Sequence, residues 1–204
     1  MNGALLQQRI YAGQRIAAKR AGSPYSVYRS ASPISPLEAG NLIGPIDCLF
    51  SANAYFTAPH KYKFPARHLY ADGRALRPRD ILLGPYGTFF VADMQPNLPI
   101  QAILCNDSIA IDRPVYQGTV IVPQPIAFAL PIFRQLKKVD VKHIQFGTAT
   151  AGTAIDEYFG FLPVAVGTVK QHDIITDQAG RLYELDSIDN TEIGVVVTFR
   201  QTET

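Results

Sequence analysis

The strongest constraint on this chain is a pattern that it uses twice. The run Asp80-Ile81-Leu82, four residues, then Gly87-Thr88-Phe89-Phe90-Val91-Ala92-Asp93 returns as Asp173-Ile174-Ile175, four residues, then Gly180-Arg181-Leu182-Tyr183-Glu184-Leu185-Asp186, at an offset of 93 residues. Each copy reads as a strand, a turn with glycine where a positive φ is wanted, and a second strand carrying an aromatic. Two such hairpins predict a mainly β fold, a small barrel or sandwich assembled from hairpins in related halves. The repetition carries no chemistry of its own.

Other short segments between turn signals extend the strand-rich body, which is expected over 66–204. They are Arg67–Ala71, Ile100–Cys105, Thr119–Val122, Ile126–Leu130, Phe161–Val169 and Gly194–Phe199. Residues 1–65 read differently. From Ala4 to Arg20, Leu5, Leu6, Ile10, Tyr11 and Ala17 fall near helical spacing. Gly22 and Pro24 then stop the helix, and Lys19 and Arg20 suit its negative end. Between Gly22 and Pro65, six prolines predict a long extended Pro-rich arm. Tyr25, Tyr28, Phe50 and Phe56 make that arm too apolar for a disordered linker, so it is expected to wrap over its own body or a neighbour.

Charge is distributed unevenly. Residues 1–79 hold 11 Lys/Arg against 3 Asp/Glu, and residues 80–204 hold 8 against 14. A basic first part and an acidic remainder fit either an arm that binds nucleic acid or one that docks on another copy. No apolar run reaches the roughly 18 residues that a membrane helix needs, so a cytoplasmic protein without membrane contact is expected. Cys48 and Cys105 sit in apolar surroundings without metal-ligand spacing and read as reduced packing residues.

Catalytic signals are sparse. His60, His68, His143 and His172 stand far apart, and none has a histidine or cysteine at ligand spacing. His172-Asp173 resembles a base with its orienting carboxylate, but Arg79-Asp80 occupies the same place in the other copy, which favours turn chemistry. Gly147-Thr148-Ala149-Thr150-Ala151-Gly152 lacks the lysine of a phosphate loop. Asp186, Asp189 and Glu192 around one turn read as a solvated hairpin tip rather than a hard-cation site. The expectation is a protein that is no enzyme, with no catalytic residue, no cofactor and no metal.

Several segments resemble a family of uncharacterised proteins of tailed bacteriophages and prophages of proteobacteria. They are Ala4 through Gly13, Pro24-Tyr25 with Tyr28-Arg29, Asp72-Gly73 through Gly87–Ala92 to Pro99-Ile100, Cys105-Asn106, and Asp173–Asp177 with Gly180–Tyr183. Residues 118–163 depart from the family pattern and read as an insertion. The resemblance implies a structural protein of the virion, assembled in the host cytoplasm, in the neck that connects head to tail or in the tail or baseplate. Its expected partners are further copies of itself and neighbouring portal, neck, tail-tube or baseplate proteins, reached through Leu5, Leu6, Ile10, Arg15, Tyr25, Tyr28, Phe50 and Phe56. The alternative is a module near the genome exit that contacts DNA through Arg9, Arg15, Lys19, Arg20 and Arg29.

Overall fold

The computed structural model describes residues 3–51, 66–137, 156–191 and 194–202. Helix α1 (Gly3–Ala21) packs on the first of two β-barrels. It stops at Gly22, whose N–H donates to the Ala18 carbonyl at 2.7 Å. A Cβ on Gly22 would lie 2.5 Å from the carbonyl oxygens of Ala18 and Cys48, so the chain turns from helix to strand there only because that side chain is missing.

Strands β1 (Ser23–Tyr28), β2 (Leu42–Ser51), β3 (Ala66–Tyr70), β4 (Ile81–Gly84), β5 (Gly87–Asp93) and β6 (Ile100–Leu104) close the first barrel in the order β1-β2-β3-β6-β5-β4. Strands β7 (Asp107–Gln117), β8 (Val120–Lys137), β9 (Glu157–Leu162), β10 (Ile174–Thr176), β11 (Leu182–Thr191) and β12 (Gly194–Gln201) close the second in the order β7-β8-β9-β12-β11-β10. Strand for strand, the topology is the same. The strand pairings within both barrels are antiparallel, and each barrel closes on itself, β1 pairing with β4 and β7 with β10.

The register refines the repeat. Leu82 pairs with Val27 on one side and Phe89 on the other, as Ile175 pairs with Ile111 and Tyr183. The first strands of the two hairpins therefore correspond at the expected offset, whereas the second strands correspond one residue later, Phe89 with Tyr183 and not Phe90 with Tyr183. The second turn holds one more residue. A β-bulge follows at the matching place in each copy, between Val91 and Asp93 and between Leu185 and Ser187.

The mainly β barrel fold and the N-terminal helix are as expected, but two boundaries differ. Ser23–Tyr28 and Leu42–Ser51 are walls of the first barrel, not an arm, and the halves meet at Cys105-Asn106 rather than near residue 65. Pro24 is compatible with a strand because only Ser26–Tyr28 of β1 also pair with β4, so its missing N–H breaks no bond on that side. Likewise, 118–163 is no simple insertion, since it supplies β8 and β9. Residues 52–65 of the expected arm, with Phe56, and the 147–152 loop lie outside the described residues.

Each barrel has its own core. Tyr25, Leu69, Leu82, Phe89, Val91 and Ile100 fill the first, with Phe50 stacked on Phe89 at 4.0 Å between ring centroids. Ile111, Leu130, Ile132, Tyr183, Leu185 and Phe199 fill the second. A third cluster joins them: Ile81, Phe90 and Ile103 from the outside of the first barrel meet Phe161 and Val196 of the second. Burying large apolar side chains of this kind contributes roughly 1.5 to 3 kcal/mol each, which couples the halves.

Candidate functional site

The repeat places one buried carboxylate at the mouth of each barrel. Asp80 and Asp173 are each 1% exposed. Arg29, two residues past Val27, grips Asp80 with Nε to Oδ1 at 2.8 Å and Nη2 to Oδ2 at 2.6 Å. Arg113, two residues past Ile111, grips Asp173 the same way, at 2.8 Å and 2.8 Å. Each guanidinium also donates to a loop carbonyl, that of Ala75 or Thr168, and each carboxylate also accepts a backbone N–H, from Arg77 or Lys170. Arg79 and His172, next to the aspartates, both take positive φ, 75° and 68°.

With both oxygens engaged by an always-charged partner, neither carboxylate can act as a base or hold a cation; the pairs lock the loop to the barrel wall. His172 pairs with Glu184, Nδ1 to Oε1 at 2.5 Å, and not with Asp173, which Arg113 engages. The aspartates were legible from the repeat. Their arginines were not, because the loops between them differ in length. The shared signal is an apolar residue, any residue, then arginine: Val27-Tyr28-Arg29 and Ile111-Asp112-Arg113.

The second barrel has a further ionic plug. Arg134 lies over the rings of Tyr158 and Tyr183, at 5.6 and 5.5 Å from the centroids, and bonds Asp107 at 2.7 Å, Asp177 at 3.1 Å and the Tyr183 hydroxyl at 3.1 Å. Burial pushes the Asp177 carboxyl up. Hydrogen bonds from the Arg181 backbone and guanidinium, the Tyr183 hydroxyl and Arg134 outweigh that and hold it at about 2. Both cysteines are free thiols; burial pushes Cys48 up to about 12 and Cys105 also upward, so both behave as inert packing groups. Asp186 is engaged by Arg200, and among the described residues no three His, Cys, Asp or Glu side chains gather as metal ligands.

A cleft of about 580 Å³ opens between the barrels, lined by Arg29, Arg77 and Arg79 on one side and Leu130, Val164 and Thr168 on the other. Arg77 and Arg79 are exposed. In the second barrel His172, the counterpart of Arg79, faces Glu184; the first barrel has Phe90 in place of that glutamate, buried in the cluster between barrels. The mouth of the cleft is therefore cationic.

The expected partner residues separate into two groups. Tyr25 is 1% exposed, a core residue whose hydroxyl accepts the Tyr86 N–H; Phe50 packs against it, and Tyr28 packs on the cluster between barrels. Tyr25 is thus taken up in its own core, which corrects its reading as an anchor for a neighbour, while Tyr28 and Phe50 are half-buried and keep part of their surface exposed. They lie in or beside strands that close a barrel, and closure turns such side chains inward or against the other half. Leu5 and Leu6 are 55% and 37% exposed, Arg15 is exposed beside Asp72, and Ile10 is half-buried. The helix seats instead on Gln7, Tyr11, Gln14 and Ala18, with the Tyr11 ring pressed over Gly73. Its outward stripe is Leu5, Ala12 and Ile16, flanked by Arg9, Lys19 and Arg20.

A surface that sequence reading missed is the far end of the β7–β8 hairpin. There Tyr116, Val120, Ile121 and Val122 are 73%, 61%, 55% and 37% exposed, and no charged residue stands between Arg113 and Arg134. The uncharged run was the available signal. No family model matches the chain, and neither a curated protein nor a solved structure does.

Proposed function

We propose that this chain is a structural protein of a tailed-phage virion, acting through contacts between subunits in the neck or in the tail and baseplate. The observation that supports this reading best is the exposed apolar end of the β7–β8 hairpin, on a body in which the buried carboxylates of the described residues, Asp80, Asp173 and Asp177, are engaged in structural pairs. Contiguous apolar surface of that kind marks a protein contact. The phage particle is part of the proposal and is drawn from the sequence segments that resemble phage and prophage proteins. Antibodies against the purified chain should label density-purified virions at the neck or the tail end in immunogold micrographs; virions that lack the chain by immunoblot would refute the proposal.

A second reading, contact with DNA near the genome exit, draws on helix α1, which has no acidic residue and turns Arg9, Lys19 and Arg20 to solvent. Under that reading a labelled duplex binds the chain in fluorescence anisotropy with an affinity that falls steeply with salt, and replacing those three side chains with glutamine abolishes it. Binding that ignores salt, or survives the replacement, eliminates it.

A further inference from the structure

The duplication assigns the apolar hairpin end a partner. In the first barrel the connection from β1 to β2, residues 29–41, leaves its own barrel and lies on the second. Ile34 bridges Phe128 of β8, the Ser35 N–H donates to the Phe128 carbonyl at 2.8 Å, and the Phe128 N–H donates to Pro33 at 3.3 Å. In the second barrel the corresponding connection, from β7 to β8, continues as a two-stranded ribbon. It runs from the pair Arg113 and Gln124 to the pair Gln117 and Val120 and closes through Gly118-Thr119, with Gly118 at φ 67°. Among the described residues this ribbon has no third barrel to lie on.

An isolated two-stranded ribbon is marginal in water. Here successive pairs put apolar groups on both faces, Tyr116 with Ile121 on one and Val115 with Val122 on the other. Pro114, Pro123 and Pro125 interrupt its hydrogen-bonding edges, so it is built to be gripped by side chains and not to gain a strand.

The surface to match is on the first barrel. The part of β8 that residues 33–35 touch follows the pairs Asp112 with Pro125 and Ile111 with Ala127; in the first barrel the corresponding pairs are Tyr28 with Leu42 and Val27 with Gly44. The residue equivalent to Phe128 is therefore Pro45 of β2, and in the same stretch Leu42 and Ile43 are 47% and 56% exposed. Net charge agrees. Residues 1–105 hold 11 Lys/Arg against 5 Asp/Glu, and residues 106–204 hold 8 against 12, so a second barrel approaching the first barrel of another copy meets opposite charge.

We propose that the ribbon of one copy docks on Leu42–Pro45 of a second copy, repeating between molecules the step that residues 29–41 make within one. The contact is head-to-tail, so it propagates into a closed ring or a filament. This deepens the assembly reading above by naming the partner, a second copy, and it fails separately: a chain found in virions yet monomeric alone at every concentration would refute the contact and leave the virion role standing.

The test uses the full chain with Ile121→Asp, which spoils the ribbon, and Ile43→Asp, which spoils the surface, each checked by circular dichroism and melting. In size exclusion with light scattering the wild type should grow beyond a dimer as concentration rises, and each variant alone should stay monomeric. A 1:1 mixture of the two should stop at a dimer, because one intact ribbon and one intact surface remain between them. A mixture that stays monomeric, or single variants that assemble like the wild type, would overturn the proposal. If either variant melts early, Ile121→Cys mixed with Ile43→Cys serves instead: oxidation should give a covalent dimer between the two chains, and its absence refutes the contact.

Discussion

Removing the Asp80 carboxylate should destabilise the protein by about 3 kcal/mol, and removing that of Asp173 should do the same. Asp80 is 1% exposed and receives three donors, two from Arg29 at 2.8 and 2.6 Å and the Arg77 N–H at 2.8 Å. In Asp80→Ala the Arg77 amide loses its acceptor, which costs about 1 to 3 kcal/mol. Arg29 loses its counter-charge as well. Breaking a fully buried ion pair costs about 3 to 5 kcal/mol, but the Arg29 side chain is 27% exposed, so water recovers part of its solvation. The balance lies near the lower end of that range. For a chain of this size 1 kcal/mol corresponds to about 2 to 4 °C, so the melting temperature should fall by roughly 6 to 12 °C. Asp173→Ala provides an internal control, because Arg113 and Lys170 supply the same three donors at 2.8, 2.8 and 2.7 Å. Urea denaturation followed by circular dichroism measures both variants. A loss below about 1 kcal/mol at either aspartate would refute the argument that these pairs lock the loops to the barrels.

Strong acid should weaken the fold through Asp177, whose folded value of about 2 lies below its ordinary 3.8. A depressed carboxyl stabilises the fold above its unfolded value and loses that contribution as pH falls through the folded one. About 2 kcal/mol should therefore be lost progressively between about pH 5 and pH 1, and Asp177→Asn should flatten the pH dependence of urea denaturation in that window. Gly160→Ala should cost about 1 to 3 kcal/mol by overpacking, since its Cβ would stand 2.8 Å from Ile132 Cδ1 and 2.9 Å from the Phe133 carbonyl oxygen. Gly13→Ala, where nothing lies within 4 Å of the added atom, should instead raise stability by roughly 0.5 to 1 kcal/mol in the same assay.

Local pattern was enough for the elements whose side chains report their own surroundings. The hairpins β4–β5 and β10–β11, strands β3, β6 and β12, and the ends of α1 follow from alternation, turn glycines and the helix stop, because each signal sits within a few residues of what it specifies. Strands β1, β2 and β7 were not legible. Pro24, Pro45 and Pro114 argue against a strand locally, and they are tolerated where they are only because of which neighbours pair beside them. The apolar content of Tyr25, Tyr28 and Phe50 demanded burial without saying against what; barrel closure buried Tyr25 in its own core and left Tyr28 and Phe50 half-buried. Helix spacing likewise identified apolar residues, but the barrel surface under α1 selected Gln7, Tyr11, Gln14 and Ala18 and left Leu5 and Leu6 outside. By itself the sequence determined a repeated hairpin, a mainly β class and an unequal charge distribution, all carried by composition and short-range order. Only tertiary structure decided that the repeat is two whole barrels, that Arg29 and Arg113 lock loops to them, and that one connection finds a barrel to lie on while, among the described residues, its counterpart does not. Those outcomes depend on pairings 50 or more residues apart, which are fixed by closure of the sheet and not by any local preference.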